Sequence, residues 1–424
     1  MDNRDLAKQF KENKQYDEAT SLFKDLWEDE KSHWDGWNYA HCLYLQNLLE
    51  AAYGISKQVY EKEPWFGYNR NLLVRIINDK FFRTTKDSYT NSEIDELFDG
   101  VDLTYKLLAD EKKSQIEFSV FRAIKLSKKH SNKMPYERII KALSYVDINL
   151  ISDRPYTIER KGRDEEIQSN KEAYYSYKTR ALLTLGQYEA CIECCDEAYE
   201  NITKFHHDND IWLMDRKMQA LAALGDIDAA IEKLRNLVMV KNNWFLKYSL
   251  AQLLLKKGIK DEAIVLMSCA AYTRDPMEMK VNLLVQLGDT IDDKEVKELH
   301  YLLSEAIRLE NEWNVPNDLQ IKLSGIEKRS VNKGDLNNFW LKTIQDYYGV
   351  HCGIVEKISD NSKFGFIKSG SSSYFFKKSN VINGRIRNND KVNFILVKSW
   401  NHKRKIETQE GDYVFIKKGY NKAK

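Results

Sequence analysis

Gly186-Gln187-Tyr188-Glu189-Ala190-Cys191-Ile192 returns as Gly225-Asp226-Ile227-Asp228-Ala229-Ala230-Ile231, and again as Gly258-Ile259-Lys260-Asp261-Glu262-Ala263-Ile264. With Gly288 the glycines are spaced 39, 33 and 30 residues apart. Each glycine follows an apolar stretch with helical spacing, such as Ala181-Leu182-Leu183-Thr184-Leu185 or Ala220-Leu221-Ala222-Ala223-Leu224, and a second helical pattern comes after it. The unit is therefore helix, turn, helix. Glycine closes the first helix by taking a left-handed conformation that other residues adopt at a cost. Small residues such as Ala230 and Ala263 let the paired helices approach closely.

Outward from this segment, an earlier copy shows at Gln15-Tyr16-Asp17-Glu18-Ala19, followed by Phe23 and Leu26 and by Trp37, Ala40 and Tyr44 in the next helix, with Pro64 closing a further unit. Residues 65–175 carry helical patterns (Leu72 to Ile77, Ile139 to Leu143) without the repeat signature. The polar run Arg160 to Lys171 reads as a loop or an exposed helix start. This pattern resembles the tetratricopeptide repeat (TPR), whose unit is about 34 residues. The resemblance implies a solenoid of helix hairpins with a concave face on which a protein partner docks.

The texture changes after Tyr348. Five short alternating runs, Cys352–Ile358, Lys363–Lys368, Tyr374–Lys377, Lys391–Lys398 and Arg404–Gln409, are separated by Asn, Ser and Gly clusters. That predicts a small five-stranded barrel. Residues two apart on a strand share a face, so Phe364 and Phe366 point together. If Tyr374 and Phe376 turn inward, Phe375 joins them outside. Charge is segregated in the same place. Residues 349–424 hold 16 Lys+Arg against 6 Asp+Glu, leaving 50 against 58 for the rest, although the whole chain nets only +2. A cationic segment with interleaved rings suits single-stranded nucleic acid, whose bases stack while lysines hold phosphates.

Ser362-Lys363-Phe364-Gly365-Phe366-Ile367 resembles the first ribonucleoprotein motif of the cold-shock domain, and Tyr374-Phe375-Phe376-Lys377-Lys378-Ser379-Asn380-Val381 resembles the second. Gly353-Ile354-Val355 and Lys391-Val392-Asn393-Phe394 fit its first and fourth strands. The resemblance implies base stacking by Phe364, Phe366 and Phe375. The sequence departs from it where Lys357 replaces the first-strand tryptophan, Ile358 its aromatic neighbour, and Lys377 and Lys378 a histidine and phenylalanine. Stacking is thereby reduced and charge increased. The expected binding set is Phe364, Phe366 and Phe375 with Lys357, Lys363, Lys368, Lys377 and Lys378, for single-stranded RNA or DNA.

Other chemistry is thin. Cys191, Cys194 and Cys195 share a helical face near His206-His207-Asp208, but Cys191 and Cys195 fall where the repeat places packing residues, so core thiols are expected and no metal. His206-His207 reads as a polar loop. No phosphate loop, nucleophile elbow or zinc-protease motif occurs, and Arg122 and His130 are too far apart for a helical ribonuclease pattern. No cofactor is expected, and the chain reads as non-enzymatic, a nuclease hidden in residues 65–175 being the exception left open. Trp27, Trp34, Trp37, Trp65, Trp212 and Trp244 read as helix packing. No apolar run reaches the roughly 20 residues of a membrane span. The start lacks a secretory h-region, and six cysteines in 424 residues suit reduced thiols, so a cytoplasmic protein is expected.

The expected fold is mostly α: a TPR-like helix-hairpin solenoid, then a small all-β, five-stranded cold-shock/OB-like barrel. The expected domains are a TPR-like and divergent helical region over 1–175, TPR repeats over 176–348, and the cold-shock-like barrel with its basic tail over 349–424. The expected function is an adaptor joining nucleic acid to a protein partner, with an accessory role in a bacterial stress or defence complex compatible with that architecture. The alternative is a pure protein scaffold whose barrel is another docking module.

Overall fold

The structure is a computed structural model that describes residues 2–83, 85–108, 113–129, 134–160, 162–358, 363–383, 385–401 and 404–416. The chain forms two compact units, Met1–Leu213 and Met214–Lys424.

In the first, helix pairs α1 (Asn3–Glu12) with α2 (Tyr16–Glu30) and α3 (His33–Leu45) with α4 (Leu49–Lys62) lead into α5 (Gly67–Ile77), which runs on as a π-helical turn over Asn78–Arg83. Helices α6 (Asn91–Leu108), α7 (Lys113–Ser127) and α8 (Tyr136–Leu143) follow. Strands β1 (Tyr156–Arg160) and β2 (Arg163–Ile167) form an antiparallel hairpin, and α9 (Asn170–Thr184) pairs with α10 (Tyr188–Asn201). Helix α11 (Asn209–Ala223) carries the chain across the unit boundary. The second unit continues with α12 (Ile227–Val240), α13 (Trp244–Lys256), α14 (Lys260–Tyr272), α15 (Val281–Thr290), α16 (Lys294–Glu310), α17 (Asn317–Leu323) and α18 (Lys333–Tyr348).

One turn geometry recurs where a first helix hands over to its partner. Lys14, Asn47, Gly186, Gly225, Gly258 and Glu312 have φ of 61°, 60°, 73°, 106°, 77° and 58°. In each case the next N–H reaches back to a carbonyl of the last helical turn: Gln15 N to Phe10 O at 2.8 Å, Leu48 N to Leu43 O at 2.9 Å, Gln187 N to Leu182 O at 2.9 Å, Asp226 N to Leu221 O at 3.1 Å, Ile259 N to Leu254 O at 2.9 Å and Trp313 N to Arg308 O at 2.8 Å. This is the Schellman ending, which satisfies carbonyls the helix itself leaves unpaired. Five residues beyond the first five turns stand Ala19, Ala52, Cys191, Ala230 and Ala263, all 0% exposed. The small side chain lets the second helix lie close to the first. Cys191 fills that position, and its Sγ lies 3.4 Å from Thr179 O.

Three expectations need correcting. Gly288 ends no helix: it lies inside α15, where a Cβ would come within 2.5 Å of the Tyr301 ring, so it is a close-approach glycine. The run Arg160 to Lys171 is the end of β1, all of β2 and the start of α9. Tyr156 and Ile158 alternate with Thr157 and Glu159, yet every residue of β1 is exposed, so the strand is not one that an inner face buries. Trp34 and Trp65 are 45% and 66% exposed, and with Phe66 and Tyr68 they form an aromatic cluster at the surface, whereas Trp27 is buried.

The C-terminal sheet comprises β3 (His351–Ile358), β4 (Phe364–Ser369), β5 (Ser372–Lys377), β6 (Val381–Asn383), β7 (Lys391–Asn401) and β8 (Ile406–Ile416). The order β5-β4-β3-β7-β8 closes on itself through a parallel pairing of β5 with β8, at Phe375 with Glu410 and Phe376 with Gly411. Five strands thus make the barrel, and the short β6 adds to β8. Val355, Ile367, Phe376, Val381, Val392, Phe394 and Val414 fill it. The fifth strand outruns its expected end at Gln409. Gly411 stands at this closure facing the interior, where a Cβ would lie 3.3 Å from the Phe394 ring.

The barrel is seated on helices of its own unit. Ile395 and Tyr413 pack with Val265 and Cys269 of α14 and Ile344 of α18, flanked by Tyr272, Tyr348 and Leu341. Buried polar bonds hold this platform. Lys280, wholly buried, donates to Thr273 O at 3.0 Å and Thr273 Oγ1 at 2.7 Å, and Lys333 donates to Thr273 O at 2.9 Å, closing the C-terminal end of α14. Burial pushes Lys280 down to about 7. Between α16 and α18, Trp340 Nε1 donates to His300 Nε2 at 2.9 Å, while His300 Nδ1 faces Val296 O at 2.7 Å. An indole N–H only donates, so Nε2 accepts, Nδ1 carries the proton, and His300 is neutral.

Lys14→Gly relieves a left-handed lysine and should stabilise the chain by about 1 kcal/mol, whereas Gly186→Ala should cost a similar amount, both read by thermal unfolding. Burial lowers His300 to about 4. Its neutral form is favoured in the fold, so its contribution is complete above pH ~6.5 and falls as pH drops toward 4, by up to ~3 kcal/mol. His300→Gln should flatten that part of the stability profile; an unaltered acid limb would refute the assignment.

Candidate nucleic-acid interface

Strand alternation divides β4 cleanly. Gly365 and Ile367 turn into the barrel, while Phe364 and Phe366 are 44% and 37% exposed. On β5, Phe376 is buried at 0%, Phe375 is half-buried on the outer side, and Tyr374 packs against the interior with its ring 5.9 Å from that of Phe394. Register brings the outer rings together, because Phe366 is paired with Phe375. Ring centroids are 5.4 Å apart for Phe364 and Phe375, 6.0 Å for Phe366 and Phe375, and 6.3 Å for Phe364 and Phe366. The three rings form one partly exposed apolar platform on strands other than the β7 and β8 residues seated on the helices.

Lysines surround it by the same register. Lys357 pairs with Phe366, placing an exposed cation where the row of rings would otherwise continue onto β3. Lys377 pairs with Phe364 and lies 3.8 Å from Glu410. Lys368 follows Phe366 on the same side of β4, 3.9 Å from Glu356. Both contacts are long; the Lys368–Glu356 pair, exposed on both sides, contributes ~0–1 kcal/mol, and both lysines stay exposed enough to meet a phosphate. Lys363 is exposed beside Phe364; Lys378 is half-buried, and its N–H donates to Lys363 O at 2.8 Å, tying the start of β4 to the end of β5. Next to Phe375 in register, Glu410 is buried, and desolvation raises its pKa against the opposing pull of Lys377.

Two glycines permit the platform. A Cβ on Gly365 would stand 2.7 Å from the Phe376 ring and 2.9 Å from Ile358, and one on Gly353 would stand 2.5 Å from Ile367. The glycine between the exposed phenylalanines therefore serves the interior, leaving room for the ring beneath.

Elsewhere, Arg122 is a brace: its Nε donates to Phe82 O at 2.6 Å and its Nη2 to Thr85 Oγ1 at 2.8 Å. His130 lies outside the described residues. Cys194 and Cys195 are buried, with Cys195 Sγ 3.4 Å from Leu213 O. His206 is no loop bystander, for its side chain is 8% exposed and lies between two carboxylates. Nothing in the local sequence marked it, because its partners are 34 and 40 residues away. No helix among the described residues is long and apolar enough to cross a membrane.

Gly365→Ala should destabilise the barrel by roughly 1–3 kcal/mol through overpacking against Phe376. Thermal unfolding would show it, and a neutral effect would place the Phe376 ring elsewhere.

No family model matches the chain, nor does any curated protein. Among solved structures, the chain is similar to one titled as Naa15/Naa10 bound to HypK-THB, at 14% identity and a TM-score of 0.35 over 81% of this chain and 46% of that one. A tetratricopeptide repeat protein from Parabacteroides merdae matches at 10% identity and a TM-score of 0.27, over 66% of this chain and 95% of that one. The P58(IPK) TPR domain matches at 13% identity and a TM-score of 0.21, over 82% and 98%. The chain thus spans about half the length of the first of these.

Proposed function

We propose that the protein is a non-enzymatic adaptor whose barrel binds single-stranded RNA or DNA while its helix hairpins dock a protein partner. The observation that carries this reading is the cluster of Phe364, Phe366 and Phe375, three neighbouring rings facing outward within a rim of lysines. An apolar patch of this kind costs solvation unless something covers it, and flat bases cover phenyl rings for about 1–3 kcal/mol each. The closed five-strand order supports the cold-shock/OB-like resemblance, as does the inward turn of Gly365, Ile367 and Phe376 beneath the rings. Lys357, Lys363, Lys368, Lys377 and Lys378 supply a sequence-independent grip on phosphates. With Lys357 standing beside Phe366, fewer bases stack and charge carries a larger share, so base preference is weak. For the helical part, paired helices with closely packed small residues are the construction of repeat arrays that present extended docking surfaces.

The test is fluorescence anisotropy of the full chain with a labelled single-stranded oligonucleotide. Affinity should fall steeply with salt, the logarithmic slope changing by about 0.7 for each phosphate-contacting lysine removed. Replacing Phe364, Phe366 and Phe375 together by Ala should weaken binding at least a hundredfold, given ~1–3 kcal/mol per ring, while circular dichroism stays native. Unchanged affinity in that folded variant would leave the barrel as a protein-docking module instead.

A further inference from the structure

The β1–β2 hairpin has little core of its own. All five residues of β1 are exposed, and β2 buries none fully. What ties it down is a polar cluster around His206. His206 Nε2 lies 2.8 Å from Glu166 Oε1 on β2, and His206 Nδ1 lies 2.8 Å from Glu172 Oε2 on α9. Glu172 is 2% exposed and is held from two more directions: it accepts from His206 N at 2.7 Å and from Asn209 Nδ2 at 2.7 Å. Asn209 also donates to Gln168 Oε1 at 2.7 Å, just beyond β2. Lys204 pairs with Glu166 from the same loop. The loop's remaining titratable groups, His207 and Asp208, are exposed.

Both ring nitrogens of His206 face carboxylate oxygens, and an ionised carboxylate only accepts. A neutral imidazole has one N–H and could satisfy one of the two. The other contact would then set a lone pair against an anion. With both carboxylates ionised, the geometry therefore favours the imidazolium. Glu172, fixed by two further donors, keeps its hydrogen bond when the proton is lost, so the contact that fails is the one to Glu166.

We propose that His206 is a protonation-dependent latch, holding the β1–β2 arm against α9 while charged and loosening it when neutral. Burial opposes the charged form, but the hydrogen bonds to Glu166 and Glu172 outweigh it and raise the pKa above the usual histidine value. The sign follows: the latch is closed below the ordinary histidine range and opens as pH rises through the elevated value. At the acid end, protonation of Glu166, whose pKa is held down by Lys204 and then His206, also opens it. The Lys204–Glu166 pair and the Asn209–Gln168 hydrogen bond survive alkaline release, so the arm loosens about these remaining tethers instead of detaching.

Amide hydrogen exchange of residues 157–160 and 163–167 in the full chain, corrected for intrinsic chemical rates, reads the latch between pH 6 and 8.5. Opening should increase about tenfold for each pH unit above the His206 midpoint, up to the tethered limit. His206→Gln should exchange fast throughout, without the pH step. Titration of the histidine ring resonances in the unmodified protein provides a second readout, with His206 expected to titrate above the ordinary histidine value. A pH-independent hairpin, a pH step that survives in His206→Gln, or a His206 midpoint at or below the ordinary histidine value would each overturn the proposal.

Discussion

Burial of Tyr413 and Ile395 between the barrel and helices α14 and α18 is the contact on which the arrangement of the second unit depends. Tyr413 has φ of 48°, a left-handed conformation that is strained for a bulky residue, and it lies at the irregularity where β8 shifts register against β7. The strain is of the order of 1–3 kcal/mol. Burying a large aromatic and an isoleucine recovers a comparable or greater amount. Tyr413 can turn to the helices while its neighbour Val414 points into the barrel. The platform beneath is fixed by groups that tolerate burial only because they are hydrogen-bonded: Lys280 and Lys333 on the end of α14, and neutral His300 under Trp340.

That seating assigns the barrel's surfaces. The inside is filled by aliphatic side chains with Phe376 and Phe394, and part of the β7–β8 side is occupied by helices. The outer residues of β4 and β5 keep their aromatic rings in water. A sheet has two faces and a barrel closes one of them, so each exposed ring on β4 has an inward neighbour that works for stability. Gly365 shows the coupling most directly, because the space it leaves is taken by Phe376 and the platform above inherits its spacing.

The helical region rests on a different constraint. Five of the hairpins share one residue with positive φ followed by a backward hydrogen bond, then a small buried residue five positions on. Glycine meets the first requirement at least cost, which is why the copies at Gly186, Gly225 and Gly258 were legible. Lys14, Asn47 and Glu312 adopt the same geometry with side chains that conceal it. The first two were reached only through the apolar pattern around them. At Gly288 the inference failed in reverse, since a glycine can serve close packing as well as a turn.

What the sequence determined by itself was whatever local periodicity encodes: helix hairpins, the change to alternating strands after Tyr348, and the sharing of one face by Phe364 and Phe366. Those depend on spacings of two to five residues and survive without any knowledge of partners. Tertiary structure decided what long-range pairing controls. Barrel closure through Gly411, the seat made by Tyr413, the exposure of Trp34 and Trp65, and the bonding of His206 to Glu166 and Glu172 all join residues far apart in the chain. A side chain's burial and protonation depend on such distant neighbours, and no local pattern carries that information.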